Sequence, residues 1–257
     1  MAIKSSSVET IEVPQLETEQ TQVWIIGTTP IILCRMSEKA KHELLAPEKK
    51  SAAQKASSLK HDPVLEFRAS PYTISDDTAP TYLSITGASI KKAMASAALD
   101  LQSASVKKAQ IGRLSWVEGE YVSLYGKPQL HMAVVRMADI NHTPDIRTRA
   151  ILSTWAVDVT VTYVKPMLKQ QAILNLLQAA GLTNGLGEWR QQKGSGSFGQ
   201  FRLATSADDA LLADIKKDGR AVQIAAMKDA EPYDDKTRET MEWFEAERRR
   251  RGFAAVA

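Results

Sequence analysis

The sequence predicts an α+β protein, with a ferredoxin-like (RRM-like) β-α-β-β-α-β core, long insertions and a charged C-terminal helix. Three observations carry that expectation. Residues 155–164 (WAVDVTVTYV) alternate Trp155, Val157, Val159, Val161 and Tyr163 with Ala156, Asp158, Thr160 and Thr162, the two-residue period of a strand with one apolar face. Residues 88–101 and 168–180 instead repeat apolar side chains at spacings of three and four, as amphipathic helices do. Read along the chain, the elements then run strand, helix, hairpin, strand, helix, strand.

Taken in order, residues 1–20 are polar, acidic and aperiodic and read as a mobile N-terminal arm. Residues 21–28 (TQVWIIGT) are rich in β-formers, and Gly27 and Pro30 end that strand. Residues 36–45 suit a short helix capped by Ser37. Residues 46–61 are small, basic and without an apolar stripe, which reads as an exposed flap carrying Lys49, Lys50, Lys55 and Lys60. Residues 82–86 form a short strand that runs through Gly87 into the first helix, where Ile90, Ala93, Met94, Ala97 and Leu101 share a face. Residues 113–117 and 121–125 flank Glu118-Gly119-Glu120 and suggest a hairpin with a glycine turn. Residues 131–137 are a further strand candidate, and residues 138–149 read as a polar loop bearing Arg147 and Arg149. Pro166 ends the alternating strand, and Gly181 sits where the second helix would need a positive φ at its C-terminus. Residues 201–203 form the last strand, while 207–217 and 237–250 read as helices. The domain division that follows is an arm at 1–20, a domain at 21–205 with insertions at about 35–85 and 127–152, and a helical extension at 206–257.

Composition narrows the function classes. Of the 257 residues, 44% are apolar and 25% charged, an ordinary globular balance. A single cysteine, Cys34, excludes an intramolecular disulfide, and its apolar context suggests a buried thiol. His42, His61, His131 and His142 show no ligand spacing, so neither a metal nor another cofactor is expected. No apolar run approaches the ~20 residues of a membrane span, and the first twenty residues hold no leader-like apolar segment. The expected setting is the cytoplasm of a bacterial or phage-infected cell. The net charge is only +3, but basic residues gather in the middle of the chain and acidic ones towards its ends.

Two segments stand out. Residues 181–201 (GLTNGLGEWRQQKGSGSFGQF) hold six of the thirteen glycines. Gly194, Gly196 and Gly199 would let a backbone approach a ligand, Arg190 and Lys193 add charge, and Ser195 and Ser197 add hydroxyls, a composition suited to cupping a phosphate. The P-loop spacing is absent, which disfavours a nucleotide-triphosphate site; a flexible helix-to-strand connection is the alternative. The second segment, ITGASIKKA, presents Ser89, Lys91 and Lys92 at a helix N-terminus, which attracts anions; taken alone, it reads better as an ordinary cap with two solvated lysines. Trp116, Tyr121, Trp155 and Tyr163 lie in strand patterns and read as core. Trp189, between glycines and beside Arg190, is the candidate for stacking on a base.

Together, ITGASIKKAMASAAL and GSGSFGQF resemble the strand–glycine–helix signature and the C-terminal glycine-rich loop of the RAMP superfamily, the RNA-binding proteins of CRISPR systems. Gly87, Ser89, Ile90 and Lys91 align with the first, although Thr86 replaces its proline, Lys92 its glycine and Ser96 its arginine. Gly194, Gly196, Gly199 and Phe201 fit the second. The chain is also similar to uncharacterised phage and prophage proteins that share GTTPIIL-like and GLGEWR-like segments. The resemblance implies a backbone-type subunit that assembles side by side along single-stranded nucleic acid, RNA or DNA, through phosphate contacts. On that reading Arg136, Arg147 and Arg149 join the two segments in contacting the strand. Such a protein would serve a CRISPR-type complex or phage replication and recombination, with itself and other subunits as partners. A structural or protein-interaction subunit of a phage particle is the alternative. A metal-dependent ribonuclease using Asp139 or Asp145, with His142 in the same loop, is a weaker one; no catalytic residue is assigned.

Overall fold

The computed structural model describes residues 15–36, 38–46, 61–101, 107–136, 144–193 and 196–252. Its strands are β1 (Glu17–Gly27), β2 (Ile31–Ile32), β3 (Tyr72–Thr73), β4 (Leu83–Thr86), β5 (Ser115–Val117), β6 (Tyr121–Tyr125), β7 (Pro128–Arg136), β8 (Pro144–Leu152), β9 (Ala156–Lys165) and β10 (Phe201–Leu203). Its helices are α1 (Glu38–Leu45), α2 (Pro63–Ala69), α3 (Gly87–Ala97), α4 (Lys108–Leu114), α5 (Gln170–Thr183), α6 (Asp209–Lys217), α7 (Arg220–Asp229) and α8 (Asp235–Arg250). The fold is α+β with mostly antiparallel sheets.

The larger sheet runs β10-β1-β9-β6-β4-β3, with β5 also on β9. Its spine is the long antiparallel ladder of β1 on β9, from Glu17 opposite Lys165 to Ile26 opposite Ala156. The alternation read in residues 155–164 is real: Val157, Val159, Val161 and Tyr163 are fully buried beneath α3 and α5. Those two helices are held together in part by Asn184, whose Nδ2 donates to the Ala93 carbonyl at 2.8 Å. On the opposite face α6 packs Leu212 and Ile215 against Ile26 and Ala156.

Several expectations are corrected. Residues 17–20 belong to β1 rather than to an arm, and Glu19 pairs with Lys165 at 2.6 Å; residues 1–14 lie outside the described residues. Residues 115–117 and 121–125 do not form a hairpin with each other. They lie end to end along β9, because Glu118 keeps a ladder bond to the Thr160 carbonyl at 2.9 Å while Gly119, at φ +81°, kinks the chain. Trp116 and Tyr121, expected in the core, are 38% and 42% exposed on the face opposite α3 and α5. Gly181 is no helix terminus: α5 continues to Thr183, and a side chain at 181 would collide with the Phe201 backbone of β10. The positive φ falls at Gly185 instead.

The insertion at 127–152 is the largest correction. β7 and β8 pair along their full length, Pro128 opposite Leu152 and Arg136 opposite Pro144, and β2 joins β8 to complete a small second sheet. Arg147 and Arg149 therefore stand on a strand, not in a loop. A strand can carry arginines where alternate residues, here Thr148 and Ala150, supply the buried side.

Helix α7 was not legible, yet it carries a buried clamp. Gln223 is 0% exposed, and its Oε1 accepts from the N–H groups of Tyr82 and Leu83 at 2.8 and 2.9 Å. Its Nε2 faces the carbonyls of Leu124 at 2.8 Å, Gly126 at 3.1 Å and Asp218 at 3.2 Å. Gln223→Met keeps the volume but strands these backbone groups, so it should lower stability by about 3 kcal/mol in urea unfolding. A loss below about 1 kcal/mol would show that the clamp is not structural.

Candidate nucleic-acid interface

Three stretches of chain meet at one cleft of about 930 Å³. The hairpin contributes His131, Ala133 and Val135 from β7 and Arg147 and Arg149 from β8; register sets His131 opposite Arg149 and Ala133 opposite Arg147. Val134 and Arg136 extend the lining towards the hairpin's far end. Facing them is the segment Gly187, Glu188, Trp189 and Arg190, with Lys193 beyond. Ile32 and Cys34 close the gap between the two.

The lining is strongly basic. Arg136, Arg147, Arg149, Arg190 and Lys193 are opposed, among the described lining residues, by the single carboxylate of Glu188. That carboxylate is shared: Oε1 accepts from Arg147 Nη1 and Oε2 from Arg149 Nε, each at 3.0 Å. Arg149 also donates to the Thr148 carbonyl at 2.9 Å, and Arg190 to the Gly187 carbonyl at 2.8 Å. Burial works against the charge on Arg149, but Cys34 and Glu188 beside it prevail and hold its pKa above the ordinary value.

Cys34 departs from its expected burial. It is surface-accessible on the cleft wall, yet crowding there, with Glu188 adding to it, pushes its thiol pKa up. A cleft wall admits water while surrounding a group with protein, so both hold. The thiol stays protonated near neutrality and is a poor nucleophile.

Trp189 is the most unusual residue of the site. Its backbone lies in the left-handed region at φ +53°, a conformation that bulky residues rarely adopt. The indole is 41% exposed and stacks on Phe198, with centroids 5.8 Å apart and planes at 27°. Phe198 also meets His131, with ring centroids 6.5 Å apart, and His131 in turn meets the edge of Tyr233 at 5.5 Å. Neither His131 ring nitrogen has a hydrogen-bond partner among the described residues.

Six of the sequence-derived site residues thus converge: Arg136, Arg147, Arg149, Trp189, Arg190 and Lys193. Ser89, Lys91 and Lys92 do not line this cleft. Ser89 is consumed by the start of α3, its N–H on Thr86 Oγ1 at 3.3 Å and its hydroxyl donating to the Thr86 carbonyl at 2.7 Å. Gly194 and Ser195 lie outside the described residues, as do Lys49, Lys50, Lys55, Lys60, Asp139 and His142. Ser197, Gly196 and Gly199 are described but do not line the cleft.

At Gly196 and Gly199 the phosphate-cup expectation is corrected. A side chain at Gly199 would overlap the Leu186 carbonyl, and one at Gly196 the Trp189 carbonyl. Carbonyl oxygens repel anions, so these positions serve the loop's packing on itself.

Asp145 is linked through His61 to Glu66. Its Oδ1 meets His61 Nε2 at 3.0 Å, while His61 Nδ1 meets Glu66 at 2.7 Å. Among the described residues, no group of three or more His, Cys, Asp or Glu side chains is arranged to hold a metal. His131, Glu188 and Cys34 are site residues that sequence reasoning missed. The only signal was the neighbourhood of Glu188 to Trp189. Compared with known proteins, the chain matches no family model and no curated protein.

His131 gives the site a pH signature. Burial lowers its pKa below the ordinary ~6.5, with Asp234 opposing. The neutral ring is the folded form, so its contribution to stability is complete above about pH 6.5 and is lost on acidification towards the lowered folded pKa. Between about pH 7.5 and 5.5 the wild type should lose more urea stability than His131→Phe. Parallel losses in the two proteins would refute the assignment.

Proposed function

We propose that this protein binds single-stranded nucleic acid, RNA or DNA, without sequence preference, holding phosphates with the cleft arginines and a base against Trp189. The observation that carries the reading is the basic cleft with a strained, half-exposed indole at its rim. Backbone strain in a bulky residue costs about 1–3 kcal/mol and is retained where the surroundings over-determine it, commonly at ligand sites. Indole faces accept any base, and guanidinium forks suit phosphate oxygens.

On this reading the core is ferredoxin-like. The path β1, α3, β5 with β6, β9, α5, β10 supports it, since the strand order β10-β1-β9-β6 places each helix crossover over an intervening antiparallel strand. The RAMP resemblance stands beside this as a proposed relationship, with side-by-side copies along the strand and a role in a CRISPR-type complex or in phage replication. A protein-interaction role has one observation in its favour, the 65% exposure of Trp243 on α8.

Anisotropy titration of a labelled oligothymidylate at several salt concentrations tests the binding. The logarithm of affinity should fall linearly with that of salt, by about 0.7 per phosphate held. Arg136→Glu should weaken binding roughly ten-fold and flatten that slope by about one phosphate equivalent. Trp189→Ala should weaken binding by a further five-fold or more, roughly the loss of one stacked base, with the slope unchanged. Absence of binding at low salt, or binding indifferent to salt, would overturn the reading.

A further inference from the structure

One side chain of the cleft wall carries polar atoms that the described fold does not use. Both ring nitrogens of His131 are shielded from solvent, and neither has a hydrogen-bond partner among the described residues. Buried polar groups are nearly always paired, so an exception calls for a reason. An imidazole offers one, because it is the side chain whose charge ordinarily changes near neutrality.

The ring's position ties it to the proposed strand site. It stands on β7 opposite Arg149 and lines the cleft with Arg147, Glu188 and Arg190. Its centroid lies 6.5 Å from that of Phe198, and Phe198 carries the indole of Trp189. Phe198 alone therefore separates the imidazole from the proposed stacking surface. A change of charge at His131 is felt both by the phosphate-holding arginines and beneath the stacking ring.

The surrounding charges keep the ring neutral in the empty cleft. Arg147 and Arg149 on β8 and Arg190 on the facing loop disfavour a further cation. Glu188 is occupied by the two β8 arginines, and the Cys34 thiol stays protonated. Before α8, Tyr233 meets the ring at 84°, and Asp234 favours the imidazolium. Asp234 is itself held by the Thr237 N–H at 2.7 Å and drawn on by Lys236. Burial outweighs it and holds the His131 pKa below the ordinary value. A strand in the cleft reverses this balance: its phosphates neutralise the guanidinium charge that opposes the imidazolium and bring negative charge to the same wall.

We infer that strand binding in this cleft is linked to proton uptake by His131, so that acid favours binding and a bound strand favours the imidazolium. The inference rests on the nucleic-acid reading of the cleft and adds its regulation. Coupling between a proton and a strand is reciprocal. The extra affinity is absent above the ring's pKa in the complex and appears as pH falls through it. The empty protein has the opposite sign, because its folded form holds the neutral ring and acid destabilises it. One residue thus makes acid weaken the empty fold and tighten the complex.

Oligothymidylate suits the test, because neither its phosphodiesters nor its thymines titrate between about pH 5.5 and 7.5, where an imidazole does. At fixed ionic strength, wild-type affinity should rise about five-fold from about pH 7.5 to 5.5, the low end of ordinary coupling between two sites, and His131→Phe should lose most of that rise. Asp234→Asn keeps a good helix cap but removes the carboxylate that favours the imidazolium, so its rise should come at lower pH. His61→Gln removes an imidazole already bonded to Glu66 and Asp145 and should keep the wild-type rise. NMR titration of the His131 ring reads the other side of the linkage: its pKa should be higher with the strand bound than without. Circular dichroism at each pH confirms that each protein is folded. If wild type binds with the expected salt dependence but shares the pH response of His131→Phe, or if the strand leaves the His131 titration unmoved, the linkage is refuted and the cleft reading survives. If wild type binds at neither pH, both readings fall together.

Discussion

The candidate site depends on where Glu188 is held. Its N–H donates to the Ile32 carbonyl at 2.8 Å, which hooks the loop after α5 onto the small sheet. Its carboxylate then reaches both arginines of β8. Three chain stretches far apart in sequence are tied at one residue. The magnitudes point to positioning rather than stability. Glu188 and Arg149 side chains are 24% and 21% exposed, and solvent screens such a pair well below its dry Coulomb energy. What the contact fixes is orientation. A guanidinium carries five donors. Arg147 gives one to Glu188, and Arg149 gives one there and one to Thr148. Arg149 also meets Cys34, and the donors left on the two forks can take an anion, so the carboxylate aims the arginines without exhausting them.

The described part of the glycine-rich loop is closed on itself as a bracket. Gly199 and Gly196 meet carbonyl oxygens of the same loop, those of Leu186 and Trp189. The Leu186 N–H is bonded to the Gly199 carbonyl at 2.8 Å, and the Gly199 N–H to that of Pro30 at 2.7 Å. A bracket so closed can hold Trp189 in a conformation it would not choose. Phe198 supports the indole from one side, and Gly196 leaves room for the Trp189 carbonyl. Strain and support are therefore two parts of one local arrangement, whose outcome is an oriented ring beside Arg190.

What the sequence made legible follows from range. The alternation through Val157, Val159, Val161 and Tyr163 is a local pattern produced by one large buried face, and it survives folding unchanged. The helices α3 and α5 are legible for the same reason. Arg147 and Arg149 misread as loop residues because their strand belongs to a small sheet with one side turned to a basic cleft, so polarity there reports the cleft and not the backbone. Trp116 and Tyr121 misread as core because large aromatics fit strands on either face; which face is covered depends on where distant helices pack. No sequence pattern singles out Gln223. Its burial depends on Tyr82, Leu124 and Asp218 arriving from three elements at once, which no window of sequence contains. Ser89 and Lys91 carried a true signal of a strand-to-helix turn, and the turn itself absorbs the serine.

The location of the cleft is a consequence of connectivity. Tyr125 and Ile26 both oppose Ala156 across the ladder, and Gly27 opposes Phe201. The last residues of β6 and β1 and the first of β9 and β10 therefore share one end of the large sheet. From that end the chain departs into β2, departs into β7, returns from β8 and returns from the glycine loop. Trp155 fastens the junction: it is fully buried, its indole N–H donates to the Thr29 carbonyl at 2.8 Å, and its own carbonyl accepts from Gly27 at 2.9 Å. Segments that emerge side by side from a rigid end must pack against each other or leave a gap. Here β2 and the loop at Glu188 close part of it with backbone bonds, and the paired arginines of β8 face the remainder. A sheet built from local periodicity thus determines where the insertions meet, while the charges on those insertions determine what the space between them can hold.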